Sequence, residues 1–221
     1  MKVVFLVSGG GGHLKHVWHS NKILGLGLEF PLVYSDRECG ASEFSHRQGI
    51  KTISEPYSRK NPEALNKILA ETEADYIVTN IHKILDSSTL RSSGAAFVNL
   101  HYSLLPDYAG LIGMKTVDAA KADNARRIGS TCHEVIDAVD AGPIILQAGF
   151  RPDWNGEMPI ILDTVFRSAS HILLHSLLTS QNTQKKTDHT VIHGYDVEYS
   201  MPLCFDPDIL DKGYIWEKIW Q

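Results

Sequence analysis

The chain has 221 residues, 43% hydrophobic and 21% charged, which suits one α/β domain with at most a small appendage and excludes wholesale disorder. A formal net charge of −5 argues against a bulk basic surface for nucleic acid. The N-terminal apolar run Val3–Val7 stops at glycines. It falls short of a signal-peptide core (about 7–15 residues) and of a membrane span (about 20). Cys39, Cys132 and Cys204 are widely separated with no CxxC pair, which suits a reducing compartment. The expectation is a soluble cytoplasmic protein without nucleic-acid or membrane partners.

Lys2–Val7 reads as a strand buried on both faces, bounded by Ser8-Gly9-Gly10-Gly11-Gly12. His13–Leu24 follows with helical spacing of Leu14, Val17, Trp18, Ile23 and Leu24, so the chain opens as a doubly wound fold does. Pro31–Ser35 predicts a second strand, Ala41–Gly49 a short helix, and Pro62–Thr72 a better one with Pro62 at its first position. Asp75–Thr79 and Ala95–Leu100 repeat the buried-strand pattern around a short helical stretch near Ser87–Arg91. Met114–Lys121 is helix-like, Ser130–Ile136 and Pro143–Phe150 read as strands joined by an acidic turn, and Pro159–Thr179 holds a long amphipathic helix. Gln181–Asp188 is polar and reads as a linker before a tail that folds back as an extended segment. The predicted fold is α/β with an open, mostly parallel, doubly wound (Rossmann-like) sheet. Residues 1–180 form the predicted main domain, and 181–221 a linker and C-terminal extension packing on the domain or on a partner subunit. The stripe Ile215, Trp216, Ile219 and Trp220 motivates that packing and leaves a homo-oligomer open.

Three places can carry chemistry. The loop Gly9-Gly10-Gly11-Gly12-His13 puts unhindered backbone N–H groups at a helix N-terminus, an arrangement that favours phosphate. A tight βα turn without ligand is the bland alternative. A dinucleotide fingerprint is poorly matched, because Asp36 is the only acidic candidate and sits late. The second place is Asn99-Leu100-His101-Tyr102-Ser103-Leu104-Leu105-Pro106, where Asn99 and His101 share one strand face. An amide that donates to a developing oxyanion and an imidazole that moves protons suit acyl transfer. A polar strand end satisfied by its own loop is the alternative there. The third is Asp137-Ala138-Val139-Asp140-Ala141-Gly142-Pro143, after Gly129-Ser130-Thr131-Cys132-His133. A carboxylate in such a turn can orient a nearby histidine, although Asp137 itself reads as a solvated loop residue. His13, His16 and His19 fall three apart without acidic or Cys companions and predict no metal site. Cys132, on a buried strand, needs no reactivity.

In order and spacing, these segments resemble the folate-dependent formyltransferases, most closely the phosphoribosylglycinamide formyltransferase group. That group carries Asn-x-His-x-Ser-Leu-Leu-Pro, then Gly-Thr/Cys-x-x-His, then Asp-x-Gly-Pro. Asn99, His101, Ser103–Pro106, Gly129, His133, Asp140 and Gly142-Pro143 match it. The resemblance implies transfer of the formyl group of 10-formyltetrahydrofolate to a small-molecule primary amine. It implies that Asn99 holds the oxyanion, that His101 stabilises that charge and moves protons, and that Asp140 orients His101 and routes a proton from the amine to N10. It places the folate against the backbone of Ile81, His82, Lys83, Ile84 and Leu85, and of the loop Val135, Ile136, Asp137 to Asp140. The acceptor's phosphate falls to Gly9, Gly10, Gly11, Gly12 and His13.

The acceptor half departs from the family pattern. Gly12 and His13 stand where a Ser/Thr and an Asn usually donate to phosphate, and His13 could replace one donor. Ser170-His171 stands where a Glu-His pair grips ribose hydroxyls. The segment Ala109–Lys115 lacks a frequent His pair. A phosphorylated or nucleotide-linked amine is therefore expected, either glycinamide ribonucleotide or an amino-sugar nucleotide. The glycine loop also looks like the Gly-Gly-x-Gly-Gly-His turn of some nucleotide-sugar glycosyltransferases, so such an enzyme or a nucleotide-binding component is the alternative. A formyl hydrolase would use the same Asn/His/Asp set, but a strand starting at residue 2 leaves no room for its usual regulatory domain. A non-catalytic folate binder would keep the fold without turnover. Transfer RNA fits poorly as acceptor, given the acidic charge and no separate C-terminal domain.

Overall fold

The computed structural model describes residues 1–178 and 187–220. Its contacts divide into two compact units. One comprises Met1–Asn99, Val135–Asp137 and Leu210–Gln221, the other Leu100–Glu134 and Ala138–Ile209.

The first unit carries β1 (Val3–Val7), α1 (Gly12–Leu24), β2 (Val33–Ser35), α2 (Gly40–Arg47), β3 (Thr52–Ser54), α3 (Glu63–Thr72), β4 (Tyr76–Asn80), α4 (Ser87–Leu90) and β5 (Ala96–His101), which ends in the second unit. Its strands are all parallel, in the order β3-β2-β1-β4-β5. Every β1 residue is buried, as an unbroken Val/Phe/Leu run requires when helices cover both sheet faces. Leu65 and Leu69 put the apolar stripe of α3 into the core with Val4, Leu6, Leu32, Ile77 and Phe97. The chain winds outward from β1 to β3 and returns as β4 on the other side of β1. In open α/β sheets ligands bind at such a reversal, outside the carboxyl ends of the strands, here those of β1 and β4. The short strand β3 escapes sequence reading, because Thr52-Ile53-Ser54 offers one apolar residue and becomes a strand only by pairing with Val33–Ser35.

In the second unit, α5 (Lys115–Ala122) precedes β6 (Ile128–Glu134), β7 (Ile144–Phe150), the long α6 (Met158–Leu178), β8 (Thr187–Ile192) and β9 (Tyr195–Leu203). These strands are antiparallel in the order β6-β7-β9-β8. The expected mostly parallel α/β sheet is present, and the antiparallel pairing here is an addition to it. Gly129 allows the β6–β7 register, since a Cβ there would lie 1.9 Å from the Ala148 carbonyl oxygen.

The expected linker divides: residues 181–186 lie outside the described residues, whereas Thr187 and Asp188 begin β8. The tail is a hairpin followed by two short helices, α7 (Pro207–Lys212) and α8 (Ile215–Trp220), rather than one extended segment. In the hairpin turn His193 and Gly194 have φ of 52° and 83°. Helix α8 lies on α1, with Trp216 stacked on His16 at 5.2 Å between ring centroids and Lys15 Nζ donating to the Ile219 carbonyl at 3.0 Å. Ile215, Trp216 and Ile219 are buried while Trp220 is exposed. No helix among the described residues is long and apolar enough to cross a membrane.

Candidate active site

Strand β5 delivers Asn99 and His101 two residues apart, so both leave the same face. The chain beyond them is pinned by one hydroxyl. Thr131 Oγ1 donates to the Ser103 carbonyl (2.7 Å) and accepts from the Leu105 N–H (3.0 Å) and from Gln147 Nε2 (2.9 Å). The loop then turns at Tyr108, whose φ of 57° brings its carbonyl to 3.1 Å from His101 Nε2. On the other side of the ring, His101 Nδ1 lies 3.3 Å from Asp140 Oδ2, with the two side chains 5% and 9% exposed.

Asp140 itself sits at φ 53°, a left-handed position that Asp tolerates better than most residues. Its Oδ2 also accepts the Gly110 N–H at 2.8 Å, and its Oδ1 faces His133 Nε2 at 3.8 Å. His133 Nδ1 is 2.8 Å from the Glu134 carbonyl, which makes Nδ1 the protonated nitrogen. Burial holds this imidazole below the usual histidine range, opposed by the Glu134 carbonyl and the Asp140 carboxylate. The motif glycine has a packing cause: a Cβ on Gly142 would lie 1.8 Å from the Glu134 carbonyl oxygen. Only glycine lets the turn close so that Asp140 faces both histidines. A nearly buried carboxylate thus stands between two imidazoles. Both His101 nitrogens face acceptors, Nε2 the Tyr108 carbonyl and Nδ1 the Asp140 carboxylate.

Of the residues singled out from sequence, His101 and Asp140 meet in this cluster. His133 is the member that sequence reading left outside the site, although its place in the Gly-x-x-x-His segment was the available signal. Asp137 lies in the other unit, exposed and 3.6 Å from Arg91.

In the first unit, the glycine loop divides into two kinds of position. Gly11 has φ 71° and a Cβ there would lie 2.7 Å from that of Ala41, so glycine is required by the fold. A Cβ on Gly9 or Gly10 would meet no atom within 4 Å, so their bareness leaves open space above the loop. Ser8 Oγ accepts the His82 N–H at 2.8 Å and ties the loop to the segment after β4. There Ile81 and Leu85 enter the core, whereas His82, Lys83 and Ile84 are exposed. The Val135 N–H is taken by the Phe97 carbonyl at 2.9 Å, and Ile136 stands exposed beyond it.

His13 departs from expectation. Its imidazole is buried and pushed down to about 3 by that burial, so it is neutral at pH 7 and brings no positive charge to a phosphate. Its backbone N–H in the first turn of α1 is what it can offer. His16 is also buried, and burial, then Lys218, Lys22 and Lys15, bring His19 down to about 4. No group of three or more His, Cys, Asp or Glu among the described residues could hold a metal ion. Ser170 is buried, its Oγ donating to the Phe166 carbonyl at 2.9 Å. Cys132 is fully buried, which pushes its thiol up to about 12.

Residues 1–154 match the formyl transferase family. The chain is 30% identical over 155 residues to the chloroplastic phosphoribosylglycinamide formyltransferase of Vigna unguiculata, an alignment covering 66% of this chain and 50% of that protein. It is 29% identical over 161 residues to the Escherichia coli phosphoribosylglycinamide formyltransferase, covering 67% of this chain and 72% of that one. The solved phosphoribosylglycinamide formyltransferase of Bacillus halodurans shares the fold at a TM-score of 0.73 and 24% identity, covering 82% of this chain and 98% of that one. The chain belongs to the formyl transferase family. Its match spans half the length of the Vigna protein.

Proposed function

We propose that the protein is an N-formyltransferase that moves the formyl group of 10-formyltetrahydrofolate to the primary amine of a phosphorylated small molecule, glycinamide ribonucleotide before an amino-sugar nucleotide. The observation that carries the reading is the His101–Asp140–His133 cluster, built from segments in the family's order. Glycinamide ribonucleotide ranks first because the matched relatives act under that enzyme's name. The nucleotide-sugar alternative rests on the glycine loop and offers no role for Asn99, His101 or Asp140. Residues 1–180 are proposed as the catalytic domain, with 181–221 as its C-terminal extension.

The folate supplies a formyl group on N10, a nitrogen that must gain a proton to leave. The Asn99 amide donates to the oxyanion that develops as the amine attacks. His101 stabilises that charge and helps move protons, held at Nδ1 by Asp140. Asp140 takes part in moving the proton shed by the amine toward the leaving nitrogen. His133 flanks the carboxylate, its Nε2 3.8 Å from the other oxygen. The chain's residues fit a pterin: Ile84 and Ile136 are 54% and 43% exposed, apolar surfaces that an aromatic ring would cover, while Ile81 and Leu85 act through backbone.

The test is formyl transfer from 10-formyltetrahydrofolate to glycinamide ribonucleotide and, in a parallel arm, to an amino-sugar nucleotide. Transfer to the ribonucleotide is the expected result. Transfer only to the sugar nucleotide would change the acceptor and keep the chemistry. Sugar-nucleotide binding with no folate turnover would return the reading to the glycosyltransferase class.

A further inference from the structure

We propose that Arg37 grips the phosphate of the acceptor at the glycine loop, with Asp36 as the positioning residue that aims it. The acceptor's being phosphorylated rests on the function proposed above; the geometry does not. Arg37 Nε and Nη2 donate to Asp36 Oδ1 and Oδ2 at 3.0 and 2.7 Å, a two-point clamp. The clamp is lopsided, because the guanidinium side chain is 54% exposed and the carboxylate 1%. The same carboxylate accepts from the Ser8 side chain, so a single buried group joins the first residue of the loop to Arg37. The backbone wraps the loop as well: the Ala41 N–H donates to the Gly9 carbonyl at 3.0 Å, and a Cβ on Gly40 would lie 3.3 Å from Gly10 Cα.

Burying a carboxylate beneath an exposed partner costs desolvation, and a half-exposed pair recovers little of it. What the arrangement does secure is direction. Of the five guanidinium N–H donors, two are spent on Asp36 and three remain for an anion, already oriented. Arg37 forms no other ion pair or hydrogen bond among the described residues. Three further observations agree. Gly12 brings no side chain to the loop, and the buried His13 imidazole, neutral at pH 7, brings no positive charge. Gly9 and Gly10 leave space above it. Lys83, within electrostatic reach of Asp36, adds a second positive charge so that the clamp is not neutral overall. The loop thus gives backbone donors, and Arg37 gives the charge and fork that hydroxyl and amide side chains would otherwise provide.

The experiment uses the full chain and two readouts. Calorimetric titration of inorganic phosphate at low salt needs no formyl transfer. R37Q is expected to weaken phosphate binding about 10- to 100-fold, the worth of lost charge-assisted hydrogen bonds. R37K, a point charge without the fork, should fall between and melt close to the parent, whereas R37Q, which leaves the buried Asp36 carboxylate without a cation, should also melt lower. In steady state with glycinamide ribonucleotide, R37Q should raise the acceptor KM by the same factor and leave kcat and the folate KM unchanged. Removing the acceptor's phosphate should raise KM more in the parent than in R37Q. Equal phosphate affinity in parent and R37Q, or no phosphate binding by the parent, overturns the proposal. Arg37-dependent phosphate binding without formyl transfer to any amine would uphold Arg37 and sink the formyltransferase reading instead.

Discussion

The cluster around Asp140 and the loop after β1 both fix polar groups in place, with different materials. The second unit uses side chains: two imidazoles and a carboxylate, 3.3 and 3.8 Å apart, whose identities the proposed chemistry fixes. The first unit uses main chain, glycine and one clamped arginine, which recognise charge and shape. The difference teaches where variation can be tolerated. A reaction that moves protons specifies its residues, whereas a phosphate can be held by any set of donors that converges on it.

The largest effects should come from breaking the side-chain half. Asp140→Asn removes the carboxylate that orients His101 and should lower kcat by about 10³, within the range for general acid–base groups, while thermal melting barely moves. Asn99→Ala should cost about 10²–10³ through the lost oxyanion donor. Turnover retained in both purified, folded variants would dissolve the distinction between the two regions.

The glycine loop gives a sharper contrast within a few residues. Gly11→Ala forces a side chain into a φ of 71° and against Ala41, and should lose about 2–3 kcal/mol in denaturant unfolding. Gly10→Ala meets no atom, so stability should hold while the acceptor KM rises as the new methyl enters the phosphate space. Equal stability losses at both positions would mean that the openness over Gly10 has no functional content.

Acid should act on the two units alike. His13 in the first and His171 in the second are both held down to about 3 by burial. Each stays neutral in the folded chain while the unfolded chain takes up a proton below about 6.5. The unfolded state therefore binds more protons between about pH 3 and 6.5, and stability falls as pH drops through that window. At pH 5 the loss is about 2 kcal/mol for each histidine. His13→Gln should flatten the slope of stability against pH between 7 and 5; an unchanged slope would contradict the burial argument. The smallest effect belongs to the exposed Arg91–Asp137 pair at 3.6 Å, where Asp137→Ala should shift unfolding by less than about 0.5 kcal/mol.

Legibility in the sequence followed the same division. Apolar runs such as Val3–Val7 announce buried strands because helices cover both faces, whereas the spacing of Asn99 and His101 alone leaves a polar strand end as an equal reading, and the resemblance of the whole motif to the family singles them out with Asp140. The hairpin β8–β9 was not legible as a hairpin: Val197 and Tyr199 are buried between exposed neighbours, and the Ala148–Tyr199 pairing with β7 is a long-range contact that no local pattern encodes. His13 read as a phosphate donor because it follows a glycine run, but the turn of α1 that begins there carries its ring into the core. The Asp36–Arg37 clamp stayed hidden because adjacent opposite charges usually mean a solvated surface; only the 1% exposure of the Asp36 side chain distinguishes it.

The most direct measurement is release of tetrahydrofolate from 10-formyltetrahydrofolate with glycinamide ribonucleotide, followed side by side in the parent chain and in Asp140→Asn at neutral pH. Amine-dependent release in the parent, about 10³ slower in the variant with the fold intact, is the predicted result. Equal rates in the two proteins, or no amine-dependent release by the parent with any phosphorylated amine, would contradict a catalytic role for the Asp140 cluster.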